Sequence, residues 1–192
     1  MGELSTGKDG GRGVTVAGGL RRIHGHLVLA LLGVVLAQPG LVTNLMGSGL
    51  VAAGLALRLW AAGVLEKGGG LCTDGPYRYV RHPLYVGSFL AAVGFCLMMN
   101  VVWGWALVLP LFVALYAAQV SLEERRLRAE HGDRHAAYAA GVPSILPRFR
   151  KGASGEGRGW SLSQVLVNRE QYHVLVTLAL VGLFYVRLYW HW

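Results

Sequence analysis

Long apolar runs alternate with short polar segments along this chain, and the pattern predicts helices that cross a membrane. About 20 consecutive apolar residues are enough to span the roughly 30 Å hydrocarbon core of a bilayer. Runs of this kind, two of them shorter, occur five times in the 192 residues. The predicted spans are residues 23–38, 45–65, 84–99, 101–120 and 172–190.

Two of the predicted spans form a tight hairpin. Only Asn100 separates the apolar run 84–99 from the run 101–120, so it is the predicted turn. At about 1.5 Å per residue, the 16 residues of the first half reach about 24 Å, near the lower limit for crossing a bilayer. Residues 121–140 are charged, and we expect the fourth span to continue out of the membrane into this helix, which Gly132 breaks.

The remaining segments divide the chain into four parts. Residues 1–22 are rich in glycine and polar residues, which is typical of a disordered tail. Residues 23–150 form the membrane domain, 151–171 a cytoplasmic linker, and 172–192 an additional transmembrane helix. A pair of arginines before the first apolar run also resembles a signal peptide, but a second apolar run follows at once and fits a helical hairpin better.

Lysine and arginine are unevenly distributed, and their positions set the predicted orientation. The chain has 18 of them against 10 acidic residues, which gives a net charge of +8. All except Arg58 and Arg187 lie in residues 1–22, 66–83 and 121–171, which share one face if five spans exist. Basic loops mark the cytoplasmic side, so the charge indicates membrane topology and argues against nucleic-acid binding. We expect a multi-pass protein of a bacterial-type plasma membrane whose active site faces the cytoplasm.

Disulfides and metals are not expected. Cys72 and Cys96 are too few for a disulfide framework, and Cys96 falls inside an apolar run, so both are predicted to be free thiols. The histidines are not arranged with carboxylates or thiols in the manner of a metal site.

The loop before the third span concentrates groups that can bind a ligand. Glycines at 68–70 allow the backbone to approach a ligand closely. Pro83 suits the first turn of a helix, which places His82 beside unpaired backbone N–H groups that favour an anion. Polar and aromatic side chains crowd the same place, namely Tyr77, Tyr79, Arg81, His82 and Tyr85. The alternative interpretation is a belt of aromatic and arginine residues at the membrane interface.

Three further charged residues lie at or inside predicted spans. Glu123 and Glu124 end the fourth span, where acidic side chains are costly unless they have partners. Consecutive side chains diverge by about 100° on a helix, so the two have different roles. The alternative for them is a solvated helix start with internal ion pairs. Arg58 lies within the second span and is either functional or extended toward the interface.

The motif at residues 75–87 reads GPYRYVRHPLYVG, and residues 123–149 read EERRLRAEHGDRHAAYAAGVPSILPRF. Together they resemble the isoprenylcysteine carboxyl methyltransferase family and its phospholipid methyltransferase relatives. The spacing by one hairpin and the Arg58-Leu59-Trp60 run are also similar. The resemblance covers residues 55–149 and is specific because both halves occur in order.

This resemblance implies an all-α integral membrane methyltransferase of about five transmembrane helices that uses S-adenosyl-L-methionine. Its cofactor pocket would be formed at the cytoplasmic side by the loop, the helical hairpin and the charged C-terminal helix. The positions implied for cofactor binding are Gly69, Gly70, Leu71, Cys72, Tyr77, His82, Pro83, Leu84, Tyr85 and Glu123. The positions predicted to be catalytic are Arg58, Arg81 and Glu124.

The methyl acceptor stays open at the level of sequence. In the eukaryotic enzymes of the resembled family, an arginine one turn before the glutamate pair serves the substrate carboxylate, and here Gln119 stands near that place. A lipophilic thiol, a small isoprenoid acid or a lipid amine fits the membrane setting equally well. Two other functions are weighed, a membrane reductase of the sterol-reductase type using NADPH and a non-catalytic membrane protein. The Glu-Glu element and the short hairpin argue against the reductase.

Overall fold

A computed structural model describes residues 33–66, 70–147 and 157–190, and every regular element in these ranges is helical. The all-α prediction is therefore confirmed. Residues 33–36 are helical. The elements that follow are α1 (Leu41–Val64), a 3-10 turn (Gly75–Arg78), α2 (Pro83–Met99), a π-helical turn (Gly104–Val108), α3 (Leu109–Gly141), α4 (Leu162–Val167) and α5 (Glu170–Tyr189).

Three helices are long and apolar enough to cross a membrane. They are α1, the continuous helix made by the π-helical turn and α3, and α5. Helix α2 is equally apolar in character but has 17 residues. The predicted first span, 23–38, lies largely outside the described residues, as does the whole predicted tail 1–22. The count of five spans therefore stays a prediction.

Helices α1 and α2 pack against each other through glycines seven residues apart. Gly47 faces Gly94, and Gly54 faces Gly87, as expected for two antiparallel helices. A Cβ atom at any of these four positions would overlap the backbone carbonyl oxygen of the facing glycine. Small residues allow such close approach in membranes, where apolar side chains gain nothing by leaving lipid for a neighbouring helix. This close contact fixes α2, whose first turn carries the candidate site.

The turn between the third and fourth predicted spans is at Asn100. Its backbone is left-handed, with φ of 50°, and it ends α2. Its side-chain amide donates a hydrogen bond to the carbonyl oxygen of Gln38 at 3.0 Å, and the Gln38 N–H donates to the Met99 oxygen at 2.9 Å. Asparagine tolerates this conformation better than most residues, so the predicted turn is confirmed.

Helix α3 continues from its apolar half into the charged half, as predicted. At Gly132 the backbone leaves helical geometry, with φ of 49° and ψ of −121°, and the helix then resumes to Gly141. Positive φ is readily available only to glycine. The bend returns the last turns of α3 to the protein, where His135 and Tyr138 are buried.

The C-terminal segment differs from the predicted linker. The sequence predicts a linker over residues 151–171. Within it, Leu162–Val167 form α4, and nearby side chains contact the end of α1. The Trp160 indole donates to the Leu59 oxygen at 3.1 Å, and the Asn168 amide donates to Ala62 and Leu65 oxygens at 2.7 and 2.8 Å. The last carbonyl groups of a helix lack partners within it. Those of Ala62 and Leu65, at the end of α1, accept hydrogen bonds from Asn168 instead.

Helix α5 packs along α1 and also touches α2 through Phe95. The Asn44 side chain, which is fully buried, donates to the Phe184 oxygen at 3.3 Å. The Ser48 and Tyr185 hydroxyl oxygens lie 3.2 Å apart, and the Phe95 and Phe184 rings stack at 5.9 Å. The start of α5 is held at the other end of α1, where Glu170 pairs with Arg58 at 2.7 Å.

Candidate functional site

A cavity of about 220 Å³ lies where the loop before α2, the first turn of α2 and the charged half of α3 meet. Typical ligand pockets hold about 300–1,000 Å³, so a cofactor-sized ligand would extend beyond its mouth. The lining residues are Arg58, Leu65, Gly70, Leu71, Cys72, Tyr77, Arg81, His82, Pro83, Leu84, Tyr85, Glu123, Leu127 and Tyr138.

The end of α3 holds the loop in place. The Tyr138 hydroxyl donates a hydrogen bond to the Tyr77 carbonyl oxygen at 2.6 Å. The N–H groups of Arg81 and His82 donate to the oxygens of Pro143 and Ser144 at 2.9 and 3.2 Å. One side-chain bond and two backbone–backbone bonds thus join the two motif halves into one wall.

Tyr77 stands in the 3-10 turn and is buried in the cavity wall. Burial, with a smaller effect of the nearby Cys72 sulfur, raises the pKa of its hydroxyl well above the usual value. The phenol therefore stays protonated at physiological pH and presents an uncharged ring and an O–H donor.

Glu124 is the centre of a charged cluster. One carboxylate oxygen accepts hydrogen bonds from the Arg81 Nε and from the His82 Nε2, both at 2.7 Å. The other oxygen lies 3.5 Å from Nε2 of His135, whose side chain is buried. Charge-assisted bonds of this length are among the stronger hydrogen bonds in proteins. Glu124 thereby ties the charged half of α3 to the start of α2.

Glu123 points elsewhere, as the helix geometry of neighbouring residues predicts. Its carboxylate lines the cavity, its side chain is 42% exposed, and the closest ion-pair distance is 3.8 Å to Nδ1 of His82. The Tyr85 side chain interacts with both Glu123 and Gln119. The carboxylate at the cavity is thus accessible to a ligand, whereas that of Glu124 is engaged by the protein.

The first turn of α2 places three predicted residues in the wall. Pro83 is its first residue, and the N–H groups of Tyr85 and Val86 donate to the His82 oxygen at 3.1 and 3.2 Å. The Tyr85 ring packs edge-on against Tyr116 of α3, with ring centres 5.3 Å apart. The aromatic contact joins the cavity wall to the apolar half of α3.

Arg58 reaches the cavity from α1 and is fully engaged. Its Nε and Nη2 donate to both carboxylate oxygens of Glu170 at 2.7 to 3.1 Å. Its Nη1 donates to the Leu84 oxygen at 3.2 Å and to the Ser88 hydroxyl. Of the two interpretations of Arg58, the structure places it inside the helix bundle with a buried partner.

Most of the residues predicted for the site line one cavity. Gly69 lies outside the described residues, and Glu124 stands behind the wall, bonded to Arg81 and His82. The other eleven predicted residues are among those that line it. Sequence reasoning missed Leu65, Leu127 and Tyr138 in the lining, and Glu170 and His135 behind it. Tyr138 carried a signal, because it lies in the motif at 123–149 that the resemblance covers.

Comparison with known proteins agrees with the two motif halves found in this wall. The sequence profile of the phospholipid methyltransferase family matches residues 31–134, more than half of the chain. The chain belongs to this family. The resemblance predicted from the motifs is confirmed, and the matched region ends before Tyr138 and Glu170.

Three curated relatives are about one third identical to this chain over the aligned residues. The Protein-S-isoprenylcysteine O-methyltransferase of Schizosaccharomyces pombe is 33% identical over 103 residues, which are 54% of this chain and 44% of that protein. The methanethiol S-methyltransferase of Crocosphaera subtropica is 37% identical over 79 residues, 41% of this chain and 30% of that protein. The cobalt-zinc-cadmium resistance protein CzcN of Cupriavidus metallidurans is 32% identical over 125 residues, 64% of this chain and 50% of that protein.

The chain thus spans half or less of the length of these relatives. No solved structure matches it.

Proposed function

We propose that this protein is an S-adenosylmethionine-dependent methyltransferase that acts on a lipophilic acceptor in the membrane. The observation that carries the proposal is the cavity that joins the loop motif at 75–87 to Glu123 across the hairpin. It belongs to a chain of the phospholipid methyltransferase family with three helices able to span a membrane.

The cavity has the chemistry that this cofactor requires. The bound cofactor would supply a methyl group on a cationic sulfonium. The sulfur departs as a neutral thioether, which is a good leaving group. The accessible Glu123 carboxylate can pair with its cationic groups. Tyr77, Leu71 and Leu84 offer ring and apolar surface for adenine.

The chain's own residues would act mainly by positioning. Methyl transfer needs an in-line approach of donor and acceptor more than an acid or a base, and orientation alone accounts for as much as about 7–11 kcal/mol in favourable cases. Glu124 already accepts bonds from Arg81 and His82, so its role is to hold these two residues against the cavity. The burial of Tyr77 and the Tyr85–Tyr116 contact would keep water from the reacting atoms.

The acceptor is best sought among lipophilic molecules. The relatives named for isoprenylcysteine O-methylation and methanethiol S-methylation share this part of the chain, so a carboxylate, a thiol and a lipid amine are the three acceptor classes to test. The site would face the cytoplasm, since the loop before α2 and the charged half of α3 lie in the basic segments. The apolar half of α3 is largely exposed and offers a route of entry from lipid.

Calorimetric titration of the protein in detergent with S-adenosylmethionine and with NADPH tests the proposal. We expect binding of the first only, weakened about tenfold or more by Glu123→Gln and by His82→Ala, since each removes a charge-assisted contact. Glu130→Gln is the control because, within the described part of the chain, Glu130 pairs with exposed Arg126 of the same helix and lies outside the cavity lining. Binding of NADPH, or wild-type affinity in both site variants, would overturn the proposal. Radiolabelled methyl transfer to lipid extracts would then identify the acceptor.

A further inference from the structure

The Arg58 side chain lines the cavity, yet its hydrogen-bonding capacity is spent within the protein. A guanidinium has five N–H donors. All three Arg58 nitrogens donate hydrogen bonds within the protein. Nη1 donates to Leu84 and Ser88, and Nε and Nη2 donate to the Glu170 carboxylate. The Arg58 and Glu170 side chains are only 12% and 11% exposed. Arg58 therefore presents a neutralised charge to the cavity.

Glu170 comes from a part of the chain that the family profile does not match. It is the first residue of α5, whereas the match ends at residue 134. The preceding segment is anchored on α1 by Trp160 and Asn168. The indole of Trp160 also packs on Gly63, where a Cβ atom would overlap it. The position of Glu170 is thus built by several contacts and does not depend on the ion pair alone.

The second cavity arginine is neutralised in the same way. Arg81 donates to Glu124 at 2.7 Å and to the carbonyl oxygens of Ala139 and Val142. The accessible Glu123 carboxylate adds a negative charge to the wall. A carboxylate that enters this cavity would meet two arginines that are already paired and one negative charge, that of Glu123. Because an ion that leaves water without gaining a partner loses free energy of hydration, its binding is disfavoured.

We propose that Glu170 is a specificity-determining residue of this site: by occupying Arg58 it prevents the binding of anionic acceptors and restricts methyl transfer to acceptors without negative charge. The inference rests on the proposed methyltransferase function. In the transfer, a lone pair of the acceptor atom forms the bond to the methyl carbon, and the carbon–sulfonium bond breaks with its electron pair left on the donor sulfur. An uncharged thiol acceptor then releases its proton to water.

The variant Glu170→Gln separates this role from simple anchoring. Glutamine keeps the size of the side chain and one acceptor oxygen but leaves the Arg58 charge uncompensated. The assay measures methyl transfer from S-adenosylmethionine to a lipid extract by the full chain, with octanoate as the anionic competitor and octanol as its uncharged match. We expect octanoate and octanol to inhibit the wild type equally weakly.

In Glu170→Gln we expect octanoate to inhibit at a concentration at least about tenfold lower than in the wild type. The apparent KM for the acceptor should rise, and kcat should be less affected. Inhibition by octanol should be unchanged. Adding Arg58→Met to this variant should abolish the gain, and Glu170→Asp should retain the wild-type rejection of octanoate. The control Glu130→Gln, in an exposed pair, should behave as the wild type.

Four outcomes decide the matter. Strong and selective inhibition of the wild type by octanoate would overturn the inference even if Glu170→Gln failed to fold. Loss of thermal stability in Glu170→Gln without a change in octanoate inhibition would also overturn it, since Glu170 would then only anchor α5. Gain of octanoate inhibition that Arg58→Met reverses would support it. Absence of any methyl transfer by the wild type would instead refute the proposed function.

Discussion

Helices α1 and α3 are both apolar and long, but they are held in different ways. Of the most apolar 18-residue stretch of α1, 33% is buried in the protein, against 6% for the helix that contains α3. Helix α1 meets α2 along facing glycines, whereas α3 exposes large side chains such as Leu111, Val113 and Leu115 over its apolar half.

The difference shows that α1 is a scaffold, whereas α3 is an arm that meets α2 through aromatic rings and is held by hydrogen bonds at its charged end. In lipid, exposed apolar side chains have no drive to leave their surroundings, so α3 needs another means of attachment. Hydrogen bonds from Arg81 and His82 to Glu124, and from Tyr138 to the Tyr77 carbonyl, supply it. The contacts that attach α3 are the same contacts that build the cavity wall.

The largest effect is expected from disrupting the α1–α2 contact. In Gly54→Leu, a side chain would replace the close approach to the Gly87 backbone, and overpacking of a core costs about 1–3 kcal/mol or more. We expect little folded protein in detergent, measured by size-exclusion chromatography and thermal unfolding. Gly49→Leu on the same helix is the control, because among the described residues nothing lies within 4 Å of the position of its Cβ. Equal losses in both variants would show that the glycine contact does not hold the pair.

A smaller effect should follow from detaching the arm. Glu124→Gln leaves Arg81 and His82 without their carboxylate, which is only 18% exposed, and loss of one partner of a charge-assisted bond costs about 1–3 kcal/mol. We expect α1 and α2 to stay folded while affinity for S-adenosylmethionine falls at least about tenfold. Hydrogen exchange should increase in residues 121–141 relative to α1. Uniform loss of protection along the chain would contradict the division into scaffold and arm.

The smallest effect is expected from the same substitution, valine to alanine, made once in α1 and once in α3. Val51 is 2% exposed in α1 and Val113 is 48% exposed in α3. Val51→Ala should lower the free energy of unfolding by about 1–2 kcal/mol through loss of packing, and Val113→Ala by less than about 0.5 kcal/mol. Chemical denaturation in a fixed detergent gives both numbers. A cost at Val113 equal to that at Val51 would mean that α3 is packed as tightly as α1.

The helical architecture could be predicted from the sequence because local signals determine it. The apolar runs gave helices α1, α2, α3 and α5, and the left-handed Asn100 and Gly132 were recognisable as a turn and a break. Most of the cavity wall was also predictable, since residues 75–87 form one compact motif whose members lie in the loop and the first turn of α2.

Contacts between residues far apart in the chain were not predictable in this way. Glu170 stands 112 residues after Arg58 and has no motif around it, so only the folded chain pairs them. His135 has little to distinguish it from other polar residues of the charged helix until the bend at Gly132 brings it to Glu124. The seven-residue spacing of Gly47 and Gly54, repeated in Gly87 and Gly94, was a readable signal that the hydrophobic pattern obscured.

The Arg58–Glu170 pair has a consequence for how the protein is made. The ribosome delivers α1 to the membrane 112 residues before the carboxylate that neutralises its arginine. An unpaired arginine inside an inserting helix costs up to about 2.5–3.5 kcal/mol at the helix centre, and Arg58 lies six residues before the end of α1. Glu170, at the start of α5, supplies its partner later in synthesis, so a helix made after α1 completes the insertion of α1.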